Sequence, residues 1–176
     1  RDDRIEAQEY ALLSLSSVAD PISRETIVSA GGIQALIDSL AGGKLSAVAQ
    51  EHAATVLASL AASAVNAISV KQAGGIEPLV HLLSSGIKDA KRSAALALAQ
   101  LAHHAGAGSE IAEAGGIRSF VIWLEDPNQG PPEVAARALS EIALDNPDTQ
   151  AQVAEEGAIW PLIEIVRGWQ RAKDAV

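Results

Sequence analysis

The chain has 176 residues, 13 basic against 22 acidic side chains and a formal net charge of −9; 48% of it is hydrophobic and only 3% aromatic. That apolar share excludes disorder, and no apolar run approaches the ~18–20 residues that span a bilayer. The absence of cysteine excludes a disulfide framework, a thiolate metal site and a cysteine nucleophile, and the acidic excess argues against binding a phosphate backbone, which needs clustered Lys and Arg.

The predicted elements are all helical. Arg1–Ala19 reads as one helix with Leu15 and Val18 on its apolar face. Asp20-Pro21 breaks it, and a short helix carrying Ile27 runs to Gly31-Gly32. A second helix of about ten residues starts at Ile33. Its apolar positions Ile33, Leu36, Ile37 and Leu40 share one face. A longer Ala/Leu-rich helix follows, with Leu57 and Leu60.

The same order then returns. Val70 leads to Gly74-Gly75 and to Ile76, Leu79, Val80 and Leu83; a polar connection at Gly86–Asp89 leads to Leu98 and Leu101. After a break at Ala105–Gly108, Ile111 leads to Gly115-Gly116 and to Ile117, Phe120, Val121 and Leu124. The connection Asp126–Pro132, with Pro127, Gly130, Pro131 and Pro132, is the strongest loop signal in the chain. Glu133, Leu139 and Ile142 open and line the next long helix, which Asn146-Pro147 ends. Val153, Gly157-Ala158, Ile159, Leu162, Ile163 and Val166 repeat the first two helices of the pattern over Asn146–Trp169, without the third. Pro78 and Pro161 fall in the first turn of a second helix, where a missing N–H costs nothing. Ile33, Ile76, Ile117 and Ile159 are spaced by 43, 41 and 42 residues, the mark of a repeat architecture.

Val70–Leu83 reads VKQAGGIEPLVHLL and Arg92–Ala102 reads RSAALALAQLA. These segments resemble the armadillo repeat, which runs Ile-x-x-Ala-Gly-Gly-Ile-x-x-Leu-Val-x-Leu-Leu and then Ala-x-x-Ala-Leu-x-x-Leu-Ala. The likeness covers nearly the whole chain; HEAT repeats, the nearest competitor, usually have two helices per unit and lack the glycine pair. The resemblance implies an all-α fold, a right-handed armadillo superhelix (α-α solenoid) with three full three-helix repeats and partial repeats at both ends. The divisions are 1–19, 20–62, 63–104, 105–145 and 146–176. Ends out of phase with the repeat lead us to expect a fragment of a longer array, with uncapped ends open to self-association.

In armadillo proteins the third helices line a concave groove. The import-receptor branch carries there an Asn ladder that holds a peptide backbone and a Trp ladder that sandwiches Lys stems. The Asn positions are here Ser17, Ser59, Gln100 and Glu141, and the Trp positions Leu13, Thr55, Leu96 and Arg137. No position matches, which disfavours a nuclear transport adaptor. One turn earlier lie Glu9, Glu51, Arg92 and Glu133. The expected partner-binding residues are therefore Glu51, Thr55, Ser59, Arg92, Gln100, Glu133, Arg137 and Glu141. The plainer reading makes these solvated positions that form i,i+4 pairs such as Arg137–Glu141.

The function implied is a protein–protein interaction scaffold, not an enzyme, that presents a groove and an extended surface to a peptide or protein partner. The net negative charge favours a basic one. The alternatives are the substrate-recruiting region of a multidomain E3 ubiquitin ligase and a membrane-tethered or cytoskeletal scaffold. Neither a cofactor, a metal, a nucleic acid nor membrane insertion is expected, and the setting is cytoplasmic and/or nuclear.

Single residues complete the reading. Trp123 sits in an apolar helix and is expected in the core. Trp160 occupies the column of Gln34, Glu77 and Arg118, polar elsewhere, and is a candidate surface anchor or a cover for a neighbouring segment outside this fragment. His103-His104 reads as a pair of helix-end cations rather than metal ligands. Gly42-Gly43-Lys44 lacks the first glycine of a phosphate loop and has Leu45 where Ser or Thr is needed. The glycine pairs recur in every unit, which a structural turn explains and a dinucleotide site does not.

Overall fold

Local signals place the helices. The computed structural model describes residues 3–126 and 128–174, the side chains of 21 and 169–174 excepted. The two residues at each end and Pro127 therefore lie outside the described residues, as does the side chain of Trp169. The helices are α1 (Asp3–Val18), α2 (Pro21–Ser29), α3 (Gly32–Ala41), α4 (Ala47–Ala61), α5 (Ala64–Gln72) and α6 (Ile76–Ser85). They continue as α7 (Lys88–Ala105), α8 (Gly108–Glu113), α9 (Gly116–Glu125), α10 (Pro132–Ala143), α11 (Pro147–Glu155) and α12 (Ile159–Asp174).

The two X-Pro breaks are N-caps. Asp20 accepts the N–H groups of Ile22 and Ser23 at 2.8 and 3.0 Å, and Asn146 accepts those of Asp148 and Thr149, with Pro at the first helical position each time. These bonds satisfy orphan donors of the first turn. The Asp20 carboxyl is held below the usual carboxylate range, chiefly by the Ser23 N–H and next by that of Ile22.

The first glycine of each Gly-Gly pair, and Gly157 of Gly157-Ala158, makes the turn between first and second helix. Gly31, Gly74, Gly115 and Gly157 have φ of +76, +79, +83 and +88°, a region closed to most side chains. The second glycine answers a different need. A Cβ on Gly116 would lie 2.5 Å from Ile111 Cγ2 and 2.8 Å from the Ile111 carbonyl oxygen, so the first and second helices could not meet at that angle.

Second helices α3, α6, α9 and α12 pack on one another in order, and third helices α1, α4, α7 and α10 do the same. The core is a strip between the two rows. Leu57, Leu60, Leu79, Leu98, Leu101, Ile111, Ile117 and Phe120 are completely buried. The third helices contribute Ala at many inner positions, among them Ala53, Ala54, Ala94, Ala95 and Ala97, which lets neighbouring helices approach closely.

Three expectations need correction. The connection at Gly86–Asp89 shrinks to Gly86 and Ile87, because α7 starts at Lys88 with Asp89 in its first turn, where a carboxylate suits the helix dipole. The last second helix is not of about ten residues; α12 has 16. The apolar columns are also not core throughout. Val18, aligned with the buried Leu60, Leu101 and Ile142, is 51% exposed, and Val166, aligned with Leu40 and Leu83, is 63% exposed. A column is buried only where a neighbouring helix lies over it.

Candidate functional site

The third-helix face collects the residues predicted to bind a partner. α4 carries Glu51, Thr55 and Ser59, α7 carries Arg92 and Gln100, and α10 carries Glu133, Arg137 and Glu141; Leu96 on α7 and Glu9, Leu13 and Ser17 on α1 fill the same three rows, one turn apart. Residues four apart share a helix face, and the stacking of α1, α4, α7 and α10 lines the three rows up. Leu13 and Leu96 are 44% and 36% exposed, so the row has apolar as well as charged steps.

Polar bonds cross each junction between third helices. Ser16 Oγ lies 3.0 Å from His52 Nδ1 between α1 and α4, and Thr55 Oγ1 lies 2.8 Å from Ser93 Oγ between α4 and α7. Between α7 and α10, His103 Nδ1 lies 2.9 Å from Glu141 Oε2. The expected Arg137–Glu141 pair does not form: among the described residues Glu141 reaches across to His103 instead. The i+4 spacing permitted a contact with Arg137, but the neighbouring helix supplied a closer donor.

The structure separates the predicted residues into two groups. Ser59 and Thr55 are already engaged. The Ser59 hydroxyl donates to the Ala19 carbonyl at 2.9 Å and accepts from Arg24 Nε at 3.0 Å, clamping the start of α2 to α4. The Thr55 hydroxyl bonds the Glu51 carbonyl and the Ser93 hydroxyl. Both residues are joints of the solenoid rather than free peptide contacts. By contrast Gln100, Arg137 and Glu141 converge with Ala99, His103 and His104 on a cleft of about 210 Å³ between α7 and α10. The Gln100 amide and the Arg137 guanidinium have no hydrogen bond or ion pair among the described residues. Arg92, Glu51 and Glu133 likewise form no ion pair there. The cleft offers donors and acceptors side by side, which suits a peptide amide and a charged side chain.

Two contributors escape the sequence pattern. His103 is no mere helix-end cation: it lies one turn beyond Gln100 on α7 and so shares its face. His104 packs edge-on against it, ring centroids 4.6 Å apart. The spacing of His103 and Glu141, 38 residues, lies near the repeat period and is the signal for a contact across adjacent units. A second cleft of about 220 Å³ between α1 and α4 joins Glu9 and Leu13 with Tyr10 and His52. Among the described residues, no group of three or more His, Cys, Asp or Glu could hold a metal ion, and no helix is long and apolar enough to cross a membrane.

Trp123 is 2% exposed, as a core residue should be, while Trp160 is 63% exposed. Neither belongs to the third-helix face. Both line an open slot on α9 and α12.

Comparison with known proteins agrees with this architecture. The family described as Armadillo/beta-catenin-like repeat matches residues 63–103. No curated protein sequence matches the chain. Among solved structures, one engineered protein is 31% identical with a TM-score of 0.79, over 91% of this chain and 66% of that one. Another is 29% identical with a TM-score of 0.80, over 90% and 66%; the chain thus spans 66% of the length of each. A designed armadillo repeat protein in complex with the peptide (KR)4 is 23% identical with a TM-score of 0.80, over 93% and 73%. The recurring glycine turn, the two stacked helix rows and these likenesses show an armadillo-repeat solenoid, with the repeat itself matched at residues 63–103.

Proposed function

We propose that the chain is a non-catalytic binding scaffold whose third-helix face holds an extended peptide or protein segment. The observation that carries this reading is the α7–α10 cleft. There an amide at the backbone-binding position (Gln100), a guanidinium without a partner among the described residues (Arg137) and a carboxylate (Glu141) converge on open space. Thr55 and Ser59 on the same face are by contrast consumed in joining the helices. Gln100 would bond the main chain of the segment, while Arg137 and Glu141 would select charged side chains on either side of it. The net charge of −9 would speed association with basic segments, and the designed repeat protein held with (KR)4 supports a ligand of peptide size.

The test is a calorimetric titration with peptides of alternating charge. Gln100→Ala and Arg137→Ala should each weaken binding about five- to tenfold, as expected for loss of one charged or amide hydrogen bond. Unchanged affinity in both variants would remove the cleft from the site.

A further inference from the structure

The slot beside Trp160 lies on a different surface. It measures about 490 Å³ and is lined by Trp123, Leu124 and Glu125 of α9, Pro132 of α10, and Trp160, Pro161, Glu164 and Ile165 of α12. We propose that it is a second binding site, which takes a Lys or Arg side chain of a basic partner segment.

Four observations carry this. First, Trp160 is not exposed because a covering helix is missing. Its column holds Gln34, Glu77 and Arg118, and all are exposed inside complete repeats. The column faces solvent in every unit, and only here is it aromatic. Second, an aromatic residue packed beneath the slot is particular to this junction. Trp123 stands where the two preceding units have Ser39 and Leu82, and Gly130 leaves room for it, since a Cβ there would meet Trp123 Cζ2 at 2.9 Å. Third, the chain itself shows which chemistry this surface accepts. The Arg167 guanidinium lies 5.4 Å from the centroid of the Trp160 ring and pairs with Glu164 at 2.7 Å. Fourth, one carboxylate at the slot is unspent. Glu125 has no hydrogen bond or ion pair among the described residues. It is the last residue of α9, at the rim where a cation entering the slot would meet it.

An apolar slot with a Trp wall and a carboxylate at its rim matches a side chain with a methylene stem and a charged head. The stem would lie against Trp160, Leu124 and the prolines, and the head would meet Glu125. The C-terminal end of the α9 dipole adds to the attraction for a cation there. An acidic segment would face Glu125 and Glu164 with like charge. This site does not depend on the third-helix face, so the two can fail separately.

The experiment is a calorimetric titration of the chain with a short peptide alternating Ala and Arg, and with its Ala/Glu counterpart. It is repeated with Trp160→Gln, Glu125→Gln and, on the other face, Glu141→Gln. Gln is the residue that the Trp160 column carries at position 34, so that variant keeps the fold. Ala/Arg binding should fall about tenfold in Trp160→Gln and severalfold in Glu125→Gln, with a bound fraction that persists in Glu141→Gln. Binding abolished by Glu141→Gln and untouched by Trp160→Gln would overturn the second site and leave the third-helix reading standing. Equal binding of the Ala/Glu peptide, or none of Ala/Arg, would overturn it as well.

Discussion

At the scale of the residue, backbone conformation and single hydrogen bonds decide how the units turn. Gly115 takes φ +83°, and a methyl group on its Cα would meet nothing within 4 Å, so substitution there is opposed by backbone strain and not by crowding. Gly115→Ala should cost about 1–2 kcal/mol, read as a lower urea midpoint with an unchanged slope. Thr149 is a polar residue buried to 2% exposure in the core. Its hydroxyl donates to the Ile142 carbonyl at 2.9 Å and also reaches the Asn146 carbonyl, tying the end of α10 to the start of α11. Thr149→Val keeps the shape and takes its donor from the Ile142 carbonyl, while the Asn146 carbonyl keeps the Gln150 N–H; this should cost about 1–3 kcal/mol in the same measurement. The glycines were legible in the sequence because they recur at a fixed place in each unit. Thr149 was not, because its role depends on the packing of one helix end against another.

At the scale of the element, the helices were legible and their cross-bonds were not. Periodicity placed α3, α6 and α9 and their buried faces, since a 3.6-residue pattern has few other interpretations. It could not say that Glu141 would meet His103 instead of Arg137, or that the Ser59 hydroxyl would be spent on Ala19. Both outcomes depend on which neighbour lies nearest once the helices stack. The same holds for Lys71 of α5, whose ammonium donates to the Ala105 carbonyl at the end of α7 and pairs with Glu110 of α8 at 2.6 Å. The hydrogen bond from Lys71 is the main cause that holds the Glu110 carboxyl below its usual value of 4.5. A carboxyl with a lowered folded-state pKa adds stability above its unfolded value and loses it as pH falls through the folded one. Glu110→Gln should therefore lower Tm at pH 7, and the difference from the unaltered chain should vanish in acid below the ordinary carboxylate range. The effect is small, up to about 1 kcal/mol, because the pair is partly exposed.

At the scale of the whole molecule, stability should vary along the solenoid. Each unit touches only its neighbours, so a residue is anchored by the helices on both sides of it. Leu98 of α7 is completely buried between the units that flank it, whereas Leu15, in the same column on α1, is only partly buried. Leu98→Ala should cost about 2–5 kcal/mol, the range for an emptied core position, and Leu15→Ala distinctly less. The same asymmetry should appear in hydrogen exchange. Amides of α6, α7 and α9 lie between two packed neighbours and should exchange only through large-scale opening, while α1 and α12, whose Val18 and Val166 face solvent, should open locally and exchange first. Uniform protection from α1 to α12 would mean that the chain unfolds as one cooperative block, against the nearest-neighbour picture. The two proposed sites lie differently on this gradient. The α7–α10 cleft sits on two well-anchored helices, while the Trp160 slot borrows one wall from α12. A segment that binds the slot should therefore raise the protection of α12 itself, whereas a segment in the cleft should leave α12 unchanged.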